Sequence, residues 1–110
     1  MIDVIIYEHE GGYAGFKAEG HAGYAESGQD IICAAVSVLT INAVNSIEAL
    51  TGDPVEAEEM DGFLSCRFPQ GLSAEGSLLI DSMILGLRQV AEIEEAESSE
   101  RFLNVIITEV

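Results

Sequence analysis

Basic residues are scarce in this chain: four lysines and arginines stand against twenty aspartates and glutamates, a formal charge of −16 over 110 residues. A phosphate backbone is repelled by such a surface, because affinity for nucleic acid comes largely from Lys and Arg displacing condensed counterions. Nucleic acid is therefore excluded as a partner. The same field favours a basic partner and speeds its approach at low salt, unless it serves solubility alone. Cysteine is nearly absent too, with two residues. Two thiols without a secretory leader offer no disulfide framework and point to a reducing, cytoplasmic compartment. The opening residues, MIDVIIYEHEGG, carry Asp3 early and no basic segment, so they read as a strand and not a signal peptide. No apolar run reaches the roughly 20 residues that a bilayer span needs. The uncharged stretch 31–47 includes Ser37, Thr40, Asn42, Asn45 and Ser46; it reads as a helix buried in protein, and no membrane partner is expected.

What the chain does contain is enough apolar sequence for one core. Hydrophobic residues make up 48 %, which suits one folded domain over residues 1–110. The β-rich runs IDVIIYEH and YAGFKAEG flank Glu10-Gly11-Gly12, a hairpin turn. A small-residue loop from Ala22 to Gln29 follows. From Ile31 to Leu50 apolar positions recur at helical spacing, and Thr51-Gly52-Asp53-Pro54 reads as a stop, with glycine at C′ and proline beyond. VEAEEM and GFLSCRF are joined by Asp61-Gly62, a strong hairpin signal. A second helix starts with Ser73 or Ser77 as N-cap; its acidic later turns oppose the helix dipole, so fraying past Glu94 is expected. RFLNVIITEV closes as a strand. The order ββαββαβ predicts an α+β, two-layer fold: one mostly antiparallel or mixed five-stranded sheet with two helices on one face. The first helix is apolar on more than one side and needs cover from the second helix or from another subunit, which makes a homodimer an expectation.

The chemistry concentrates in EGHAGYAESGQDIICAAVSVL, residues 19–39. Asp30 is a good N-cap residue directly before the apolar run, which places Cys33 at N3, near unpaired N–H groups and the positive end of the helix dipole. A thiol there is easier to ionise, although the Asp30 charge opposes the effect. His21 can take the thiol proton and return it to a leaving amine near neutral pH. Backbone N–H groups around Cys33 can meet a developing oxyanion, about 3 kcal/mol per donor. Gly20, Gly23 and Gly28 permit the positive φ of a mobile loop. A buried core cysteine and a surface histidine account for the same residues, so packing and nucleophile both stand open. No CxxC or HxxxH spacing supports a metal, no cofactor motif occurs, and no second cysteine lies near Cys33 for redox chemistry. His9, between Glu8 and Glu10, is expected at the surface. Cys66 alternates with Leu64 and Phe68 and is expected in the core. Met83, Ile84, Leu87 and Val90 form a core or interface stripe.

Gly20-His21-Ala22, then Gly28 and Asp30, then Cys33-Ala34 and Ser37 resemble the signature of the bacterial ribosomal-processing cysteine proteases, the Prp family. The likeness extends over the leading hairpin, the helix carrying NAVNSIEALTG, the Asp-Gly hairpin and the closing helix and strand. It implies Cys33 as nucleophile and His21 as general base and acid. Asp30, Ser37, Gly20 and Gly28 are implied as supporting residues, and Ala22, Gly23 and Tyr24 as candidates for a loop over the substrate. It also implies a small cytosolic homodimer that removes a short apolar N-terminal extension from a large-subunit ribosomal protein precursor. A basic precursor suits the −16 charge, and a sheet edge can take an extended peptide. A non-catalytic acidic assembly factor that shields a basic ribosomal protein is the alternative from another class; a thiol redox sensor is a third.

Overall fold

The first strand, β1 (Ile2–His9), alternates as its sequence does: Ile2, Val4 and Ile6 are buried and the residues between them are half-exposed. The structure, a computed structural model, describes residues 1–20, 27–97 and 102–110. Glu10 and Gly11 both have positive φ, 48° and 83°, the requirement of the two-residue turn whose twist matches paired strands. The turn leads into β2 (Gly12–Glu19), which pairs antiparallel with β1. A bulge at Tyr7/Glu8 leaves Ala14 without a partner on β1, and its carbonyl accepts the Phe68 N–H at 2.9 Å instead.

Helix α1 (Ser27–Leu50) is followed by the hairpin β3 (Glu56–Met60) and β4 (Phe63–Arg67), then α2 (Ala74–Glu97) and β5 (Leu103–Glu109). The five strands form one sheet in the order β3-β4-β2-β1-β5. All neighbours are antiparallel except β1 and β5, which run parallel. This is the expected α+β arrangement, mixed through that one parallel pair. At Gly15 a Cβ would strike the Cys66 carbonyl oxygen, so only glycine lets β2 and β4 approach so closely there.

Buried side chains of the sheet fall on one face by alternation: Val4, Ile6, Phe16, Ala18, Leu64 and Cys66. Val36, Ala43, Val44 and Ile47 of α1 and Ile80, Met83, Ile84 and Leu87 of α2 complete the same core. Both helices thus cover a single face. Gly86 brings them together, since a Cβ there would lie 2.8 Å from Leu39 Cδ2. The other sheet face carries the cross-strand pair Arg67–Glu56 at 2.6 Å and the pair Lys17–Glu19 at 3.4 Å. Ile31–Leu50 is long and apolar enough, by length and composition, to cross a bilayer, and 28 % of it is buried within the chain. That is less cover than the expected buried helix, because Val38 and Leu50 lie on its open side.

Helix ends depart from expectation in instructive ways. Helix α1 begins at Ser27, four residues before Ile31. Gly52 is not among the left-handed glycines; the stop is Thr51, whose Oγ1 donates to the Ile47 carbonyl at 2.7 Å. Helix α2 runs to Glu97, three residues past the expected fraying point. Its start is as expected at Ser73, whose Oγ accepts the Gly76 N–H at 3.1 Å. Asp53 accepts both the Ser73 hydroxyl at 2.7 Å and the Ser73 N–H at 3.0 Å, clasping the end of α1 to the start of α2. Gly76 leaves room for this carboxylate, which a Cβ would strike.

The Ser73 hydroxyl, and then its N–H, hold the Asp53 carboxyl below its ordinary 3.8 against the opposing effect of desolvation. A depressed native value means the clasp stabilises the fold fully above the unfolded-state pKa and weakens as pH falls through the native one. Asp53→Ala is expected to lower Tm at pH 7, and the gap from wild type should narrow below about pH 3.8. Thermal melts of both proteins from pH 7 to 2.5 read this; a gap independent of pH would refute the clasp.

Candidate active site

The stripe of α1 that docks on the sheet runs Val36, Thr40, Ala43, Val44 and Ile47, all buried, at intervals of three and four residues. Thr40 is the polar member, and its hydroxyl is satisfied by the Val36 carbonyl at 2.8 Å. The next position of this stripe toward the amino end is Cys33. It is half-buried, because there the helix passes beyond the closest cover and an open cleft of about 700 Å³ begins.

Cys33, Ser37, Thr40 and Ile41 form the helical wall of the cleft, with Ile2 and Ala18 at its base. Ser37 follows Cys33 by four residues, so both lie on one face of the helix, and Ser37 is exposed. The tip of the β3–β4 hairpin supplies another wall: Glu59, Met60, Asp61, Gly62 and Phe63. Gly20 closes one end. Its φ of 109° is left-handed and a Cβ there would strike the Met1 carbonyl oxygen, which leaves glycine alone suited to the position. The Gly20 N–H donates to the Gly62 carbonyl at 3.0 Å, locking the end of β2 to the β3–β4 turn.

Several sequence expectations change here. With α1 starting at Ser27, Asp30 is a residue of the helix and not its N-cap, and Cys33 is the seventh helical residue. Six residues of helix put Cys33 about 9 Å along the axis from the start, beyond the first turn in which a dipole acts strongly on a thiol. Its N–H belongs to the i→i−4 ladder and is not one of the four unpaired donors. Gly28 is likewise in the first turn of α1, without the positive φ expected of a loop glycine. His21 and the loop candidates Ala22, Gly23 and Tyr24 lie outside the described residues. Cys33, Ser37 and Gly20 do meet at the cleft.

Sequence reasoning missed the hairpin residues Glu59, Met60, Asp61 and Phe63. The Asp61-Gly62 hairpin was recognisable, but its place beside Cys33 follows from β4 pairing with β2, a contact between distant segments. Cys66 and His9 stand as expected. Cys66 is buried, and desolvation pushes its thiol up to about 12 despite a backbone hydrogen bond from Phe16 that favours the thiolate. His9 is exposed at the far end of β1, its Nδ1 2.8 Å from the Val110 oxygen.

A half-exposed cysteine on a helix, walled by a hairpin and fitted with a glycine lock, defines a thiol-bearing cleft on an α+β sheet. Comparison with known proteins gives that class its name. The family model of cysteine protease Prp matches residues 1–98. The ribosomal processing cysteine protease Prp of Bacillus subtilis (strain 168) is 36 % identical over 88 residues, covering 74 % of this chain and 79 % of that protein. The Staphylococcus aureus protease Prp, crystallised with a covalently linked product peptide, superposes with a TM-score of 0.80 at 28 % identity, covering 98 % of this chain and 100 % of that one. The S. aureus enzyme with a substrate peptide gives a TM-score of 0.81 at 25 % identity, with 100 % of both chains covered. The chain belongs to the cysteine protease Prp family, and it is a cysteine-type peptidase by that membership.

The two thiols differ enough in setting to be told apart chemically. Iodoacetamide at pH 7.5 is expected to modify Cys33 in the native protein and Cys66 only after unfolding, read by intact mass and peptide mapping. Equal labelling of both in the folded state would contradict the burial of Cys66.

Proposed function

We propose that this protein is a cytoplasmic cysteine endopeptidase that removes a short apolar N-terminal extension from a large-subunit ribosomal protein precursor. The observation that carries the proposal is Cys33, half-buried on the wall of a cleft that Gly20 closes. His21 follows Gly20 directly in the chain. In this reading His21 takes the Cys33 proton, and the sulfur forms a bond to the scissile carbonyl carbon as the carbonyl electrons move onto oxygen. Collapse of that adduct expels the amine, which takes the proton from the imidazolium, and leaves a thioester. Water, deprotonated by the same imidazole, then releases the acid and restores the thiol. Apolar side chains at the cleft, among them Ile2, Val36, Ile41 and Phe63, suit an apolar peptide. The S. aureus protease has been crystallised with a substrate peptide and with a covalently linked product peptide, which supports peptide cleavage as the activity.

The reading includes a homodimer. Ile31 and Val38 of α1 are 67 % exposed, and Leu85 and Ile93 of α2 are 61 % and 60 % exposed. Between them Ala34, Ala35 and Gly86 line a shallow apolar groove. A second copy covers this surface and removes the patch from water.

Two measurements test the proposal. A peptide bearing the apolar extension is expected to be cut by wild type, to survive intact with Cys33→Ala, and to be cut about 10²–10⁴-fold more slowly by His21→Ala. Cleavage retained in Cys33→Ala rules the mechanism out. Sedimentation at micromolar concentration should show a dimer that Val38→Glu converts to monomer; a wild-type monomer refutes that part.

A further inference from the structure

Glu59 occupies a sheet row that is otherwise apolar. Across the strands the row reads Val4, Ala18, Leu64, Glu59, and the first three are buried. The alternation that points Leu64 toward the helices points Glu59 the same way. But β3 is the outermost strand, so this carboxylate is exposed, in the cleft that Cys33 also lines. Asp61 stands two residues on, in the turn. Among the described residues neither side chain has an ion-pair partner, and no lysine, arginine or histidine lines the cleft. The third acid there, Glu19, is paired with Lys17, and Arg67 is engaged by Glu56 on the open sheet face.

A carboxylate that has no ion-pair partner among the described residues and lines the same cleft as Cys33 repels acidic peptides and attracts a cationic side chain. Apolar residues beside it favour a peptide that is apolar on one side of the reacting bond and basic close by. Resting on the peptidase reading above, we propose that Glu59 is a specificity-determining residue that selects a lysine or arginine near the scissile bond. It acts in binding and does not touch the reacting atoms. The bulk charge of −16 draws a basic protein from a distance, whereas Glu59 sets where along the peptide the positive charge must fall.

The test uses peptides carrying the apolar extension, with glutamine at the positions around the scissile bond and one lysine moved through them in turn. Wild type is expected to prefer lysine over glutamine by about 3- to 5-fold in KM at one or two adjacent positions, with kcat unchanged, as suits an exposed ion pair. The preference should disappear in Glu59→Gln and in high salt, and should turn to glutamate in Glu59→Lys. Anisotropy of the same peptides binding to Cys33→Ala gives the preference without catalysis. Cleavage that depends on Cys33 but shows no lysine preference in wild type, or a preference intact in folded Glu59→Gln, overturns the inference and leaves the peptidase reading standing. Cleavage independent of Cys33 removes that reading and the inference with it.

Discussion

The docking of the α1 stripe onto the sheet is the contact on which the cleft depends. Val36, Ala43, Val44 and Ile47 give the helix its angle and its rotation about its own axis, and helical periodicity then leaves no freedom over where Cys33 points. A cysteine one turn upstream of a buried valine would be core if the cover extended one strand further. Cys33 is half-buried because the cover ends there, and that boundary makes the thiol accessible while its backbone stays within a regular helix. Large changes in the stripe would disturb the site through rotation of α1 before they disturb it through contact.

Glycines do a second part of the construction by close approach. Gly15 lets β2 and β4 lie near one another, Gly86 lets α2 settle on Leu39, and Gly20 combines a left-handed backbone with a position against Met1. The hydrogen bond from Gly20 to Gly62 ties the segment before His21 to the hairpin that carries Glu59. Glycine lock and acidic hairpin are therefore joined directly, and both line the cleft with Cys33. The Asp53–Ser73 clasp just past the carboxyl end of α1 fixes the helix there, a polar contact that the apolar core does not supply.

Helix starts and stops were the least readable features, and the reason is energetic. Ser27-Gly28-Gln29 looks like a loop because glycine is a poor helix former, and Asp30 looks like a cap. Once a long helix has nucleated, however, each added residue gains a hydrogen bond at little cost. Helix α1 accordingly runs back to Ser27. At its other end Gly52 offered the familiar left-handed stop, but the Thr51 hydroxyl reaches the Ile47 carbonyl and removes the need for one. Local chemistry was decisive where a single side chain settled the matter, as with the Ser73 cap and the Glu10-Gly11 turn.

From the sequence alone came the element order, the single covered face of the sheet, the burial of Cys66 and the pairing of Gly20 and Cys33 within one motif. These depend on alternation, helical spacing and turn chemistry, which act over a few residues. Tertiary structure decided that β5 lies parallel to β1, that the hairpin tip stands beside Cys33, and that Glu59 faces the cleft. Strand order joins segments tens of residues apart, and the exposure of a position in an apolar row depends on which strand is last. No local pattern records either fact.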